Sequence, residues 1–290
     1  GTDLEYFPTR RGFDSFYGHP GGAMDYWTHK DQSAEDVLYR NLEKVHEEGY
    51  ATDLFGDEAV RYVRRHADRR FFLYLPFNAP HTPLQPHERP FEPLEALMKP
   101  NAVPDARLRF VKMIERMDRR IGDLITVLDE LGLRNKTLVI FTSDNGGPEH
   151  CGRNRPLNGH KVALLEGGHR VPLVARWPGK IPQCTAYDGL CAGIDLFTTC
   201  IIAAGGQLPT DRKIDGVDLM PYLTGESETS AHEWLAWESH NDKWVRRGYR
   251  KGPWKLRYMR STSPSVDYHH YELFDLSHDI GETKNLRDAR

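Results

Sequence analysis

Residues 137–147 constrain this chain more than any other stretch, because a strand-like run ends there in two oxygen-bearing side chains and two glycines. The run 137–142 is apolar and rich in β-branched residues, which predicts a buried strand of a parallel sheet. Asp144 and Asn145 follow it almost at once, and open α/β sheets bind their ligands at the carboxyl ends of such strands. The segment therefore predicts an α/β domain with a polar site at one edge of its sheet.

The Asp-Asn pair suits a divalent metal ion. Adjacent carboxylate and carboxamide oxygens are the hard ligands that Ca²⁺ and Mg²⁺ prefer, and Gly146 and Gly147 let the backbone turn sharply beside a bound group. The alternative is an Asx-turn or a helix N-cap after a strand, which a bare Asp-Asn pair more often forms. Two further polar clusters along the chain favour the metal interpretation.

The composition excludes several classes of protein. A formal net charge of −3 over 290 residues gives no basic field for a nucleic-acid partner, and no stretch reaches the ~18 apolar residues that predict a transmembrane segment. The four cysteines match neither a disulfide framework nor a zinc site. We expect three of them in the core and Cys151 exposed. The length allows one large α/β domain, alone or with a small appendage.

Hydrophobic periodicity predicts the main elements. Apolar residues at helical spacing predict helices over 52–65, about 105–131 and 194–204. Thr52 or Asp53 would cap the start of the first helix. Buried strands are expected at 71–75 and, with Pro172 at an edge or strand start, at 171–177. The strand–helix–strand order from 71 to 142 predicts a right-handed parallel crossover. Short aromatic runs at 235–238, 254–259 and 271–276 predict a small antiparallel sheet beyond a polar linker, so the expected domains are 1–225 and 226–290.

The two other polar clusters contain basic side chains. His81 lies in the proline-rich loop 78–83 after the expected strand 71–75 and should reach the same sheet edge as Asp144. His160 and Lys161 lie in the cluster 158–170. An ammonium and an imidazole beside a hard cation would bind an anion and protonate a leaving group, which fits an oxyanion ester. Taken singly, a loop histidine or an exposed lysine usually has no such role.

Two side chains of the third cluster have a simpler interpretation. Glu166 and Arg170 are four residues apart, which predicts a structural ion pair and not a catalytic pair. Near the N-terminus, Tyr26 and Trp27 could stack on a ring of a ligand, but ordinary packing is the more frequent role of such aromatic residues.

The order of these motifs resembles that of the sulfatase family. The matching segments are 11–14, 78–83, 141–146, 156–161 and 166–172, and in the tail 215–219, 252–256, 273–276 and 281–286. The likeness covers essentially the whole chain. It implies an alkaline-phosphatase-like α/β fold, with a mixed, mainly parallel sheet flanked by helices and a small C-terminal antiparallel-sheet subdomain.

The resemblance also implies a chemistry. It implies hydrolysis of a small-molecule or carbohydrate sulfate ester with a divalent cation, usually Ca²⁺ (or Mg²⁺). By motif position, Asp144 and Asn145 resemble the second pair of metal ligands. His81 and Lys161 resemble the residues that contact the sulfate and the leaving group, and His160 would be a further substrate-binding residue. The family is mostly extracytoplasmic, which favours a secreted, periplasmic or lysosomal location.

The chain departs from the family pattern at its nucleophile. A sulfatase needs a Cys or Ser in a Cys/Ser-x-Pro/Ala-x-Arg context that is oxidised to formylglycine, and none of the four cysteines has that context. The family's N-terminal Asp-Asp metal pair and its Gly-Lys-Trp-His segment are also missing from the sequence. We therefore expect a chain that lacks the N-terminal nucleophile segment and is inactive in isolation. Asn158 stands where many members have an arginine that contacts the anion.

Two alternatives come from different classes. One is a phosphate or phosphonate ester hydrolase of the same superfamily, because the metal chemistry is nearly the same. The other is a non-catalytic binding protein that keeps the scaffold without the nucleophile. The sequence identifies neither the particular ester nor the oligomeric state.

Overall fold

The described residues of the computed structural model are 3–88 and 105–287, and the chain divides into two compact units, 1–134 and 135–290. This division does not follow the polar linker near 225. The assignment of domains to 1–225 and 226–290 stays a prediction. Among the described residues, no helix combines the length and the apolar character that crossing a membrane requires.

The first unit begins with loops and very short elements, as its weak periodicity predicts. Two 3-10 turns, Leu4–Tyr6 and Pro8–Arg10, precede an antiparallel sheet of β1 (Tyr17–Gly18), β2 (Tyr39–Arg40) and β3 (Glu43–Lys44). The core beneath them is aromatic. Tyr26 is fully buried and stacks on Tyr50 with ring centroids 5.4 Å apart. The packing role expected for Tyr26 is confirmed.

Two long helices follow among the described residues of the first unit, and both match the predicted spans. They are α1 (Ala51–Arg65) and α2 (Ala106–Glu130). The helices run parallel, because Asp53 pairs with Arg116 at 2.6 Å and Arg64 pairs with Glu130 at 2.7 Å. The predicted cap of α1 is wrong: Tyr50 is the N-cap, and its side chain makes no capping hydrogen bond but donates from its hydroxyl to the Gln85 carbonyl at 2.8 Å. The Asp53 carboxylate instead pairs with the guanidinium of Arg116 on α2.

Residues 71–75 do not form the predicted buried strand. The segment is irregular, and Phe72 and Tyr74 are 59% and 67% exposed. A strand exists only where its N–H and C=O groups pair with a neighbour, and no strand within 3–88 or 105–287 pairs with this segment. The predicted parallel crossover therefore lacks its first strand, and every strand pair in the described chain is antiparallel.

The second unit begins with β4 (Val139–Thr142), which lies inside the predicted strand. β4 pairs with β5 (Leu173–Arg176), so that Val139 lies opposite Arg176 and Thr142 opposite Leu173. Pro172 directly precedes β5, where its missing N–H removes no ladder bond. β4 is half-buried and its Phe141 is 36% exposed, so the expectation of a fully buried strand is wrong.

The remainder of the second unit consists of short helices and one larger sheet. The helices are α3 (Glu166–His169), α4 (Asp195–Ala203) and α5 (Met220–Leu223). The predicted antiparallel sheet has four strands in sequential order, β6 (Trp234–His240), β7 (Trp244–Lys251), β8 (Trp254–Ser261) and β9 (His269–Asp275). A Cβ placed on Gly248 of β7 would lie 3.7 Å from the Leu164 Cβ, so one face of this sheet packs on the segment leading to α3.

The cysteines are distributed differently from the expectation. Cys151 is buried, with 3% of its surface exposed, and Cys184 is the exposed one. Cys191 and Cys200 are half-buried, and all four are thiols. Cys151 lies in a tight turn that the Gly152 N–H closes by donating to the Pro148 carbonyl at 2.7 Å, and this turn could not be predicted from the local composition.

Candidate active site

Two loops of the second unit carry four of the five predicted site residues. We call residues 143–148 the Asp144 loop and residues 158–165 the Lys161 loop. The Lys161 N–H donates to the Gly147 carbonyl at 3.0 Å, which joins the two loops directly. The structure therefore brings Asp144, Asn145, His160 and Lys161 into neighbouring loops, as the motif order predicts for this part of the site.

A carboxamide that the sequence analysis missed strengthens this junction. Asn154 Oδ1 accepts from the Gly147 N–H at 3.0 Å, while Nδ2 donates to the Gly147 carbonyl at 3.1 Å and to the Gly159 carbonyl at 3.0 Å. One side chain thus satisfies backbone groups of both loops, which makes Asn154 a structural bridge of the site. Its sequence neighbourhood of polar and charged residues gave no signal that distinguishes it.

The paired glycines of both motifs serve close backbone packing. A Cβ on Gly146 would overlap the Gly167 carbonyl oxygen, and a Cβ on Gly168 would overlap the Ala163 carbonyl oxygen. The Gly146 N–H donates to the Gly168 carbonyl at 3.0 Å, which requires this approach. Gly146 therefore connects the Asp144 loop to α3, as a role of close backbone approach predicts.

Asp144 and Asn145 present oxygen donors at the end of β4. Asp144 is exposed and Asn145 half-buried, and within the described part of the chain no ion pair or hydrogen bond engages the Asp144 carboxylate. Their chemistry fits a hard divalent cation, for which they supply two of the six or more oxygen ligands that Ca²⁺ takes. No cluster of three or more His, Cys, Asp or Glu side chains suited to a metal occurs in residues 3–88 and 105–287.

His160 and Lys161 lie side by side in the second loop. The His160 ring is oriented by Nδ1, which lies 3.0 Å from the Lys161 carbonyl, and its Nε2 lies 3.6 Å from the Glu149 carboxylate. The Lys161 side chain is half-buried and pairs with no carboxylate among the residues that the structure describes. Val162 follows with φ at +78° and 62% exposure. Such strain in a β-branched residue is frequent at binding loops.

His81 belongs to the first unit. Its Nδ1 lies 2.9 Å from the Thr82 carbonyl, which can only accept, so Nδ1 carries the proton and Nε2 is left for a ligand. The Tyr26 hydroxyl donates to the His81 carbonyl at 3.0 Å and fixes the loop. The side chain is exposed. Burial lowers the pKa of the neighbouring His19, and its proximity to His81 acts in the same direction.

Glu166 has a larger role than the predicted ion pair. Its bond with Arg170 is present but long, at 3.4 Å, whereas Lys255 Nζ lies 2.9 Å from Oε1 and an Arg250 nitrogen lies 3.0 Å from Oε2. The carboxylate is fully buried. Burial alone would raise the pKa of Glu166, but the charges of Lys255 and Arg250 hold it below its usual value.

Comparisons with known proteins identify the class to which this fold and site belong. The sulfatase family model matches residues 2–206, and a model of the C-terminal region of N-sulphoglucosamine sulphohydrolase matches residues 160–290. The chain belongs to the sulfatase family. Members of this family generally use a metal ion and a formylglycine nucleophile.

Similar curated proteins support the assignment. The uncharacterized sulfatase YdeN of Escherichia coli is 31% identical over 83% of this chain and 42% of its own length. Canine N-acetylgalactosamine-6-sulfatase is 31% identical over 76% of this chain and 44% of its own length. Rat steryl-sulfatase is 36% identical over 68% of this chain and 36% of its own length. The chain thus spans less than half the length of these relatives.

Solved structures show the fold. The crystal structure of Ps i-CgsB in complex with k-i-k-neocarrahexaose matches with a TM-score of 0.82 at 28% identity, over 98% of this chain and 64% of that one. The structure of BT4656 with D-glucosamine-2-N,6-O-disulfate matches with a TM-score of 0.72 at 18% identity, over 95% of this chain and 72% of that one. The alkaline-phosphatase-like α/β fold of the sulfatases, with its C-terminal antiparallel sheet, is therefore confirmed.

Proposed function

We propose that this chain serves the hydrolysis of a sulfuric ester, as part of a metal-assisted sulfatase. The observation that carries the proposal is the junction of the Asp144 loop with the Lys161 loop. This junction holds two hard oxygen ligands and an ammonium group in neighbouring loops of a sulfatase-family chain. A divalent cation and an ammonium together suit a sulfate group, whose oxygens carry the negative charge.

Each candidate residue has a role in this proposal. Asp144 and Asn145 would hold Ca²⁺ or Mg²⁺, which when bound neutralises charge on the sulfate oxygens. Lys161 would bind a sulfate oxygen through its N–H donors and stabilise charge on the departing alkoxide as the ester S–O bond breaks. His160 would contribute a hydrogen bond to the substrate. His81, in the form that carries a proton on both ring nitrogens, would donate its Nε2 proton to the leaving alkoxide.

The nucleophile and the substrate belong to the whole protein. None of the four cysteines stands in a formylglycine context, so we propose that the formylglycine hydrate is supplied outside residues 1–290 and that these residues alone are inactive. A carbohydrate sulfate is the substrate class we favour, because structures of two similar proteins hold a neocarrahexaose and a disulfated glucosamine.

The first test compares esters and variants in the full-length protein. We expect hydrolysis of 4-nitrophenyl sulfate to exceed that of 4-nitrophenyl phosphate and of a phenylphosphonate ester. Asp144→Ala and Lys161→Ala should each lower kcat/KM by roughly 10²- to 10³-fold, whereas the exposed controls Asp188→Ala and Lys136→Ala should leave it unchanged. Faster phosphonate cleavage would favour the related hydrolase, and binding of sulfated sugars without turnover would favour a binding protein.

A second test addresses the proton donor. A leaving group of high pKa needs a proton more than nitrophenolate does, so His81→Ala should slow a carbohydrate sulfate far more than an aryl sulfate. The exposed His46 provides the matched control variant, His46→Ala. Equal losses on both substrates would contradict a proton-donor role for His81.

A further inference from the structure

We propose that Lys255 is a positioning residue of the candidate active site. From the C-terminal sheet it holds α3, the short helix to which both site loops are hydrogen-bonded. The inference deepens the proposed function and rests on it only for the expected effect on turnover. The structural part of the inference can be tested without any sulfate ester.

The contacts of Lys255 are confined to buried groups. Its Nζ donates to Glu166 Oε1 at 2.9 Å and to His169 Nε2 at 2.9 Å. Lys255 is therefore hydrogen-bonded to the first and the last residue of α3. Glu282 Oε1 forms an ion pair with the same nitrogen at 3.0 Å, outside hydrogen-bond geometry. The side chains of Lys255, Glu166 and Glu282 are all fully buried.

The helix α3 is in turn attached to both site loops. The Gly168 carbonyl accepts from Gly146 of the Asp144 loop at 3.0 Å, and the Gly167 N–H donates to Asn158 of the Lys161 loop at 2.7 Å. The Glu166 N–H donates to Glu282 Oε2 at 2.6 Å. The path from Lys255 to either loop therefore passes through one helical turn of four residues.

The sheet supplies the rigidity that a positioning residue needs. Lys255 lies on β8, which is bonded to β7 on one side and to β9 on the other. It pairs with Arg250, which also binds Glu166, and with the buried Phe274. A side chain anchored in an interior strand moves little, so the position of α3 follows that of the sheet.

Charge balance explains why a buried lysine is tolerated here. The two carboxylates of Glu166 and Glu282 face two cations, Lys255 and Arg250, so the buried set is electrically neutral. Removal of one member leaves a buried charge without its partner, and the remaining groups must rearrange or take up water. Loss of Lys255 therefore loosens α3, because Glu166 and His169 each lose one bond to the sheet, although Glu166 keeps its bond with Arg250.

The experiment uses the full-length protein with Lys255→Met, which keeps the length and removes the charge. The matched control is Lys251→Met, because Lys251 is an exposed lysine on β7 whose partner is the surface residue Glu233. Glu282→Gln is a milder variant that keeps Lys255 and Glu166 paired. If Lys255→Met does not fold, the same measurements are made on Glu282→Gln.

Amide hydrogen exchange is the first measurement. We expect faster exchange at Gly146, Lys161 and Gly167 in Lys255→Met, and to a smaller extent in Glu282→Gln. Exchange in β6 should match that of the Lys251→Met control. Uniformly faster exchange over the whole second unit, or unchanged exchange at these three amides, would overturn the inference.

Binding and turnover supply the second measurement. With Ca²⁺ alone in a titration, Lys255→Met should raise the Kd roughly 10-fold or more, and kcat should fall roughly 10²-fold while KM changes little. An equal effect of Lys251→Met would overturn the inference. If the wild-type protein hydrolyses no sulfate ester, the proposed function fails, and hydrogen exchange with the Ca²⁺ titration still decides the role of Lys255.

Discussion

At the scale of single residues, the contacts of Glu166 illustrate what a local pattern can and cannot predict. The spacing of four residues predicts its bond with Arg170, and that bond is present at 3.4 Å. Its shorter bonds are made with Arg250 and Lys255, which are 84 and 89 residues away along the chain. Partners at such separations leave no trace in the helical spacing, so the buried cluster becomes visible only in the folded chain.

His169 makes the stability of the protein sensitive to acid. Burial, and then the charge of Lys255, lowers the pKa of His169 from its ordinary value of 6.5 to about 4. Between these values the unfolded chain binds a proton that the folded chain does not bind, so stability falls as the pH falls. Glu166, with its lowered pKa, acts in the same direction, and Glu282, with its raised pKa, acts against it.

The prediction concerns the free energy of unfolding at two pH values. His169 should contribute a loss of about 2 kcal/mol between pH 7 and pH 5. Urea unfolding of His169→Gln should show a loss smaller by about that amount, because glutamine does not titrate and its oxygen can still accept from Lys255. A pH dependence identical to that of the wild-type protein would contradict this assignment. The exposed His46→Gln serves as the control variant.

At the scale of elements, the long helices and the C-terminal antiparallel sheet were predictable, whereas the strand pairing ahead of that sheet was not. α1 and α2 carry a strong 3.6-residue apolar period, and their ends fall within a residue or two of the predicted spans. The segment 71–75 has an equally apolar composition but forms no strand. A helix closes its hydrogen bonds within itself, whereas a strand needs a partner that its own sequence does not specify.

The attachment of the Asp144 loop to α3 can be tested with one methyl group. Gly146→Ala would drive a Cβ into the Gly167 carbonyl, and the forced separation should lower the free energy of unfolding by about 1–3 kcal/mol. Gly122→Ala is the control, because a Cβ there meets nothing within 4 Å and the site lies in α2. It should be neutral or stabilising by up to about 1 kcal/mol. Urea unfolding that ranks the two variants equally would refute the close packing of the Asp144 loop on α3.

At the scale of the whole molecule, the chain belongs to the sulfatase family and spans under half the length of the curated relatives compared with it. The cation ligands that we propose are two neighbouring residues, and a hard cation takes about six oxygens. The strength of metal binding is therefore a property of the full-length protein and is best measured there.

Metal binding should stabilise the full-length protein against heat. A ligand that binds only the native state raises the Tm, by an amount that grows with ligand concentration over Kd. We expect Ca²⁺ at about 100 times its Kd to add about 2.7 kcal/mol of stability, which is the general value for that excess. The shift should be lost in Asp144→Ala and kept in Asp188→Ala. A shift retained by Asp144→Ala would exclude this carboxylate as a ligand.

The sequence by itself determined the family, the alkaline-phosphatase-like fold class, the long helices and the C-terminal antiparallel sheet, and it predicts the site residues of the Asp144 and Lys161 loops. These features depend on local periodicity and on the order of short motifs, both of which are properties of neighbouring residues. The buried pairing of Lys255 with Glu166, the Asn154 bridge and the antiparallel pairing of β4 with β5 were decided only by tertiary structure. The Lys255–Glu166 pair and the β4–β5 pair join groups that lie far apart in the chain, whereas Asn154 bridges backbone groups five and seven residues away that its local sequence does not single out. For the buried ion pair, desolvation makes a partner obligatory without specifying which residue it is.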